Sequence, residues 1–149
     1  MADGAGLEAW PVTLEPADEG GFIVNFPDMP GGWSQADDRG EALRQAEDLL
    51  EEMILGAMAH NEDVPLPSVA AGRPVVHLPA LTAAKLEAYR AMRAAGLNKR
   101  QLAARLGWRP SQVTRLFDGR HASRLDQIET ALAAGAMSGC DQRRCLRSP

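Results

Sequence analysis

The N-terminal part of the chain alternates apolar and polar residues with the period of a β-strand. Residues 10–15 and 22–26 both follow this alternation, and Gly20 and Gly21 between them favour a tight turn. The two segments therefore predict an antiparallel hairpin. After a Pro- and Gly-rich break, residues 33–36 predict a short third strand.

The pattern then changes to helical spacing. Asp38 is the predicted N-cap of a long helix that ends near His60, and Glu41 is its capping-box partner. At about 1.5 Å per residue this helix is about 33 Å long, enough to cover one face of a small sheet. The predicted inward stripe consists of Leu43, Ala46, Leu50, Met53, Ile54 and Ala57.

A connection follows the long helix. Residues 61–74 contain three prolines and little periodicity, which is typical of a linker. Residues 75–78 form a β-branched run, and two roles stay open for it. It pairs with the first sheet as an edge strand, or it contributes to dimer formation.

The C-terminal half predicts four short helices around one core. In the first, Leu86, Tyr89 and Met92 form one stripe, and the helix ends at Gly96. The fourth begins with a predicted capping box of Ser123 and Asp126. Its apolar positions are Leu125, Ile128 and Leu132.

Residues 97–117 predict the two central helices. Asn98 is the predicted N-cap of one, Pro110 suits the first position of the other, and Gly107 between them tolerates a positive φ. Gly119 is the predicted end of the second helix. The inward positions are Leu102, Ala103, Leu106, Val113, Leu116 and Phe117.

The outward positions of the second central helix carry groups that reach base edges and phosphates. This arrangement resembles a helix-turn-helix of the lambda-repressor (XRE-like) type. An ordinary helical hairpin with a solvated basic face is the alternative. The candidate DNA-binding residues are Lys99, Arg109, Ser111, Gln112, Thr114, Arg115, Arg120 and His121.

Charge is divided unevenly along the 149 residues. Residues 1–78 contain three basic and fifteen acidic side chains, whereas residues 79–149 contain thirteen basic and five acidic ones. A basic half is the expected footprint of a phosphate-binding surface, and an acidic half suits a basic protein partner.

The sequence offers no sign of secretion, membrane insertion or metal binding. The first residues lack the pattern of a secretory signal, and no apolar run is long enough to span a membrane, so we expect a cytoplasmic protein. Cys140 and Cys145 have no histidine nearby and are expected to be reduced and without a role. We predict no cofactor.

An ordered set of motifs resembles a known family. The set comprises the Gly-Gly hairpin, FIVNFPDMPG and the EAL helix in residues 10–50, followed by VVHLPALTAAKLEAYRAM, RQLAARLG and RHASRLDQIETAL. Together they are similar to HicB antitoxins that carry a C-terminal helix-turn-helix. The resemblance covers about residues 10–134, and the tail beyond residue 135 matches nothing.

The resemblance implies fold, partners and organisation. The expected fold class is α+β: a small antiparallel sheet packed by one long helix, as in a shortened RNase H-like domain, followed by an all-α helix-turn-helix domain. The implied partners are a HicA-type toxin, which is a small basic ribonuclease, and operator DNA, bound by a homodimer or higher oligomer. The predicted boundaries are 1–68 for toxin binding, 69–81 for a linker with a short strand, 82–135 for DNA binding and 136–149 for the tail.

Two functions from different classes remain open at this stage. The favoured one is an antitoxin that represses its own operon; the alternative is a single-chain transcriptional regulator whose N-terminal domain senses a ligand or dimerises. Catalysis by a magnesium site of Asp28, Asp37, Asp38 and Glu41 is disfavoured because capping and turn formation account for these carboxylates. The candidate toxin-binding residues are Asp18, Glu19, Trp33, Asp37, Asp38 and Glu41.

Overall fold

The computed structural model describes residues 8–119, 124 and 126–134 of the chain. Within these ranges the fold is mixed, with two small antiparallel sheets and five helices. The residues divide into two compact units. The sheet unit contains the described residues up to 57 together with 64–83, and the helical unit contains 58–63 together with those from 84 onwards.

The strands lie in the sheet unit, and the shorter helices follow later in the chain. The strands are β1 (Trp10–Pro11), β2 (Thr13–Pro16), β3 (Phe22–Asn25), β4 (Trp33–Ala36) and β5 (Val75–Val76). The helices are α1 (Arg39–Ala59), α2 (Ala80–Ala94), α3 (Lys99–Leu106), α4 (Pro110–Leu116) and α5, which covers residues 126–134.

The predicted strand over residues 10–15 is divided between two sheets. β1 pairs antiparallel with β5, whereas β2, β3 and β4 form a second sheet in that order. Val12 lies at the division, and its N–H donates to Pro74 O at 2.9 Å. The prediction of one continuous strand is wrong, because Val12 bonds to the segment that leads into β5. Of the two roles left open for residues 75–78, the structure shows strand pairing.

The predicted hairpin is confirmed, and its turn needs glycine. Gly20 and Gly21 have φ of 100° and 79°, a region that L side chains rarely adopt. A Cβ on Gly21 would also collide with the carbonyl oxygen of Ala36. The turn between β2 and β3 therefore lies directly beside the end of β4.

Asp38 is the N-cap of α1, as predicted. Its Oδ1 accepts a hydrogen bond from the backbone N–H of Glu41 at 2.8 Å. The Glu41 carboxylate instead accepts from Gln45 Nε2 at 3.1 Å, and Gln45 Oε1 accepts from Ser34 Oγ in β4. Glu41 therefore belongs to a hydrogen-bond chain that joins α1 to the sheet and not to the predicted capping box.

The buried stripe of α1 differs slightly from the predicted one. Leu43 and Met53 were expected to face inward and are only half-buried. Met53 lies against Gly32 in the loop before β4, where a Cβ would collide with its side chain, and not within the core. The buried residues of α1 are Ala42, Ala46, Leu50, Ile54, Ala57 and Met58.

The helical unit buries most of the apolar positions that the spacing predicts, but Leu106 and Leu132 are only half-buried. Gly96 ends α2 with φ of 74°, and Leu97 N–H donates to Met92 O, a C-capping bond. The side chains at most 2 % exposed among the described residues of this unit are the charged Lys85 and the apolar or aromatic Leu86, Ala88, Tyr89, Met92, Leu102, Ala103, Val113, Leu116, Phe117, Ile128 and Ala131.

Two predicted helix boundaries have different outcomes. Helix α4 ends at Leu116 and not at Gly119, because Phe117 leaves the helical conformation and packs its ring edge-on against Tyr89, with centroids 5.5 Å apart. Ser123 and Leu125, predicted to cap and pack the fourth helix, lie outside the described residues.

Candidate functional site

Helix α3 is fixed at both ends by local bonds. Asn98 Oδ1 accepts from Gln101 N–H at 2.8 Å, and Gln101 Oε1 accepts from Asn98 N–H at 2.9 Å, which forms a complete capping box. Gly107 ends the helix with φ of 70°, and Trp108 N–H donates to Ala103 O at 2.9 Å. The predicted N-cap and turn residue are both confirmed. Three residues then connect α3 to α4.

Helix α4 begins with an unusual cap. Arg109 occupies the N-cap position and has no side-chain acceptor for the first free N–H groups, while Pro110 takes the first helical position as predicted. Gln112 forms the reciprocal bond of a capping box, because its Oε1 accepts from the Arg109 N–H at 2.8 Å. The helix start is therefore defined without the usual Ser or Thr.

Helix α4 has one buried and one exposed face. Val113 and Leu116 are buried, whereas all five predicted DNA-binding residues of this segment are exposed. The hydroxyl of Thr114 donates a hydrogen bond within the helix, to Pro110 O at 3.2 Å. The structure thus brings together on one surface Arg109, Ser111, Gln112, Thr114 and Arg115.

Lys99, a predicted phosphate contact, is half-buried and bonded within the protein. Its Nζ donates to Met58 O at 2.7 Å, near the C-terminal end of α1. Burial lowers the pKa of this ammonium. An ammonium has three N–H donors, so this bond leaves two. Arg120 and His121, the other predicted phosphate contacts, lie outside the described residues.

Two further side chains bind the segment that follows α1. Tyr89 Oη donates to Glu62 O at 2.8 Å, and burial raises the pKa of this phenol. Arg93 forms an ion pair with Asp63 at 2.6 Å. Neither contact is among those the sequence predicts. No local pattern in the sequence indicated them, because both join residues 27 or more positions apart.

The other lysine of the chain, Lys85, also donates a hydrogen bond to a backbone carbonyl group. Lys85 is 2 % exposed, and its Nζ donates to Asp118 O at 3.0 Å, just after α4. Lys85 and Lys99 are the only lysines in the sequence. Among the described residues of the helical unit, the exposed cations are therefore all arginines, which suit bidentate contact with phosphate or guanine.

The predicted toxin-binding residues fall into two groups. Asp18 and Glu19 lie in the turn between β2 and β3, which contacts the backbone that leads to Asp37. This end of the sheet, with Asp38 and Glu41 at the start of α1, is the acidic end. Trp33 lies at the opposite end of β4, opposite Asn25 of β3, and is 66 % exposed.

Three of the four carboxylates considered for a metal site, Asp28, Asp38 and Glu41, accept hydrogen bonds from other groups of the protein. Asp28 Oδ2 accepts from Ser68, and Asp38 caps α1. Across residues 8–119, 124 and 126–134, no group of three or more His, Cys, Asp or Glu side chains is placed to hold a metal ion. None of the helices in the same ranges has the length and apolar character needed to cross a membrane.

Comparisons with known proteins agree on one family. The model of the family described as HicB-like antitoxin of bacterial toxin-antitoxin systems matches residues 9–87, which end within α2. Antitoxin HicB 1 of Photorhabdus laumondii is 38% identical over 125 residues, covering 84% of this chain and 80% of the relative. Antitoxin HicB of Escherichia coli is 33% identical over 126 residues, covering 84% and 91%.

Proposed function

The chain belongs to the HicB-like antitoxin family, and we propose that it neutralises a HicA-type ribonuclease toxin and represses its own operon by binding operator DNA. The observation that carries the proposal is similarity to HicB antitoxins over 84% of the chain, which extends beyond the family model into the helical unit. The sheet unit would then correspond to the shortened RNase H-like domain, and the α3–α4 pair to the helix-turn-helix.

Charge supports the assignment of toxin binding to the sheet unit. A ribonuclease surface that binds RNA is basic, and the first 78 residues carry five times as many acidic as basic side chains. The acidic end offers exposed carboxylates to such a surface. We propose that Asp18, Glu19, Asp37, Asp38 and Glu41 contact the toxin there.

The exposed face of α4 supports DNA binding by the helical unit. Gln112 has the amide chemistry that pairs with adenine, and Arg109 and Arg115 have the guanidinium chemistry that pairs with guanine. Lys99, Arg120 and His121 are proposed phosphate contacts. A homodimer or higher oligomer would place two such faces on an operator with two half-sites.

Affinity purification of the tagged full chain from its native cell at low salt tests the proposal. We expect a small basic protein in stoichiometric amount, and we expect the purified chain to bind DNA from upstream of its own gene. Recovery of DNA with no protein partner would favour a single-chain regulator instead.

The proposed DNA binding is tested with one variant and a matched control. Arg115→Ala removes an arginine from the proposed DNA-binding face, and Arg105→Ala removes an exposed arginine of α3 outside that set. We expect Arg115→Ala to weaken operator binding much more than Arg105→Ala. Equal weakening would show that only the total charge matters.

A further inference from the structure

Large apolar side chains are exposed mainly at one end of the sheet unit. Trp33 is 66 % exposed, Leu66 is 71 % exposed and Val69 is 81 % exposed. Trp33 begins β4 at the end away from the acidic turn, and the other two lie in the segment between α1 and β5. Leu81, at 39 %, is the other large apolar side chain exposed among the described residues.

A side chain from the β3–β4 loop fastens the segment that carries Leu66 and Val69. Asp28 Oδ2 accepts from both the backbone N–H and the Oγ of Ser68, at 2.9 and 3.0 Å. Asp28 lies five residues before Trp33 on the loop that leads into β4. The contact therefore brings the three exposed apolar side chains to the same end of the sheet. We call this contact the Asp28–Ser68 latch.

The latched segment continues into a hydrogen-bonded turn at residues 70–73. Arg73 donates from Nε to Ala70 O at 3.0 Å and from a terminal nitrogen to Val69 O at 2.9 Å. Ala71 and Gly72 take φ of 52° and 85°, which closes the turn. The exposure of Val69 is therefore held by specific bonds on both sides.

An apolar group held in water by specific bonds is unfavourable for the isolated protein. Exposed apolar groups gathered at one end of a domain mark interaction surfaces, and tryptophan is enriched among the residues that dominate binding. The arrangement at this end of the sheet fits that pattern.

We propose that Trp33, Leu66 and Val69 form an apolar docking patch for a basic protein partner, ordered in advance by the Asp28–Ser68 latch. The proposal rests on the function proposed above, in which that partner is the toxin. A second copy of the chain fits less well, because it would bring another strongly acidic N-terminal half to the same place. A basic partner would instead be attracted by the net negative charge of that half.

The test uses the full chain and the small basic protein that co-purifies with it. The triple variant Trp33→Ser, Leu66→Ser, Val69→Ser is expected to bind this protein at least about 100-fold more weakly. Asp28→Ala is expected to lose about tenfold, because the released segment must be ordered during binding. Leu81→Ser is the matched control and is expected to stay within about twofold of the wild type.

Three other results would contradict the docking patch, and one of them would also contradict the proposed function. Unchanged affinity of the triple variant would overturn the docking patch and leave the antitoxin function standing. If the triple variant converts a dimer into a monomer in sedimentation while the affinity for the basic protein is kept, a second copy covers the patch and the proposal is wrong. Absence of any basic partner for the wild type would contradict the proposed function and the patch together.

Discussion

The side-chain oxygen of Gln112 accepts a hydrogen bond from the backbone N–H of Arg109 at 2.8 Å. The residue predicted to read a base therefore also defines the start of the helix that carries it. Loss of a helix cap costs about 1 kcal/mol. Replacement of Gln112 by alanine would thus change both helix stability and base recognition, and the two effects need separate variants.

We expect Gln112→Glu and Gln112→Ala to separate these roles. Glutamate keeps the capping acceptor but lacks the amide donor that completes a bidentate pair with adenine. Both variants should relax the sequence preference at one base pair by about 1 to 3 kcal/mol. Only Gln112→Ala should lower the free energy of unfolding, by about 1 kcal/mol. Competition binding to operator variants and urea unfolding measure the two quantities.

Lys99→Ala is expected to affect stability and the salt dependence of DNA binding, and not sequence preference. Loss of the bond to Met58 O should lower the free energy of unfolding by about 1 kcal/mol, since a cation at a helix C-terminus is removed. Loss of a phosphate contact should weaken binding to all DNA sequences equally and reduce the salt slope by about one. Titrations of binding against salt concentration measure this slope.

Two results would contradict these assignments. An unchanged salt slope in Lys99→Ala, with reduced stability, would restrict Lys99 to its bond with Met58. If Lys99→Ala and Gln112→Ala lose sequence preference equally, the proposed division between phosphate contact and base recognition fails. Lys99→Arg keeps a charged donor and serves as the control.

Tyr89 should make the protein less stable at alkaline pH. Burial raises the pKa of its phenol above the usual value of 10.0 in the folded state. Above that value the unfolded chain loses the proton first, so the free energy of unfolding falls as pH rises. We expect Tyr89→Phe to abolish this fall and to cost about 1 kcal/mol near neutral pH, because Glu62 O loses its donor.

Urea unfolding between about pH 8 and 11 measures this effect. Lys99 acts with the opposite sign, since its lowered pKa makes stability rise over the same range. The comparison is therefore made in a Lys99→Met background. Tyr89 is the only tyrosine, so ultraviolet absorbance reports its ionisation directly. Ionisation at the ordinary pKa in the folded protein would refute the explanation.

The acidic end of the sheet unit permits a charge test that preserves the fold. Asp18→Lys, Glu19→Lys and Asp37→Lys reverse exposed charges, whereas Asp38→Asn removes a charge and keeps a capping oxygen. We expect the combined variant to bind the basic partner at least about tenfold more weakly, with a slower association rate. Surface plasmon resonance at two salt concentrations measures both. Unchanged binding would exclude this end of the sheet as a contact surface.

Much of the helical unit could be predicted from the sequence because local interactions decide it. The cap at Asn98, the left-handed glycine at Gly107 and the first position at Pro110 depend on neighbours within four residues. The exposed face of α4 follows from the helical period once those ends are known. The function of Gln112 as a cap was not predicted, although its position three residues after Arg109 was a signal for it.

The sheet unit was less predictable, because alternation indicates a strand but not its partner. Residues 10–15 form one uninterrupted pattern, yet Val12 bonds to Pro74, more than sixty positions away. The change of partner at Val12 depends on where α1 and the following segment return the chain. No local pattern carries that information.

The sequence by itself determined the two halves of opposite charge, the caps at Asp38, Asn98 and Gly107 and most of the inward positions, since these follow from composition and short-range geometry. The tertiary structure alone decided that Lys99 bonds to Met58, that Asp28 holds Ser68 across forty residues and that Trp33 stays exposed. The Lys99 and Asp28 contacts each join a side chain to a backbone group at least forty positions away in the chain. Their formation depends on which surfaces the folded chain brings together, because hydrogen bonds require a partner at about 3 Å.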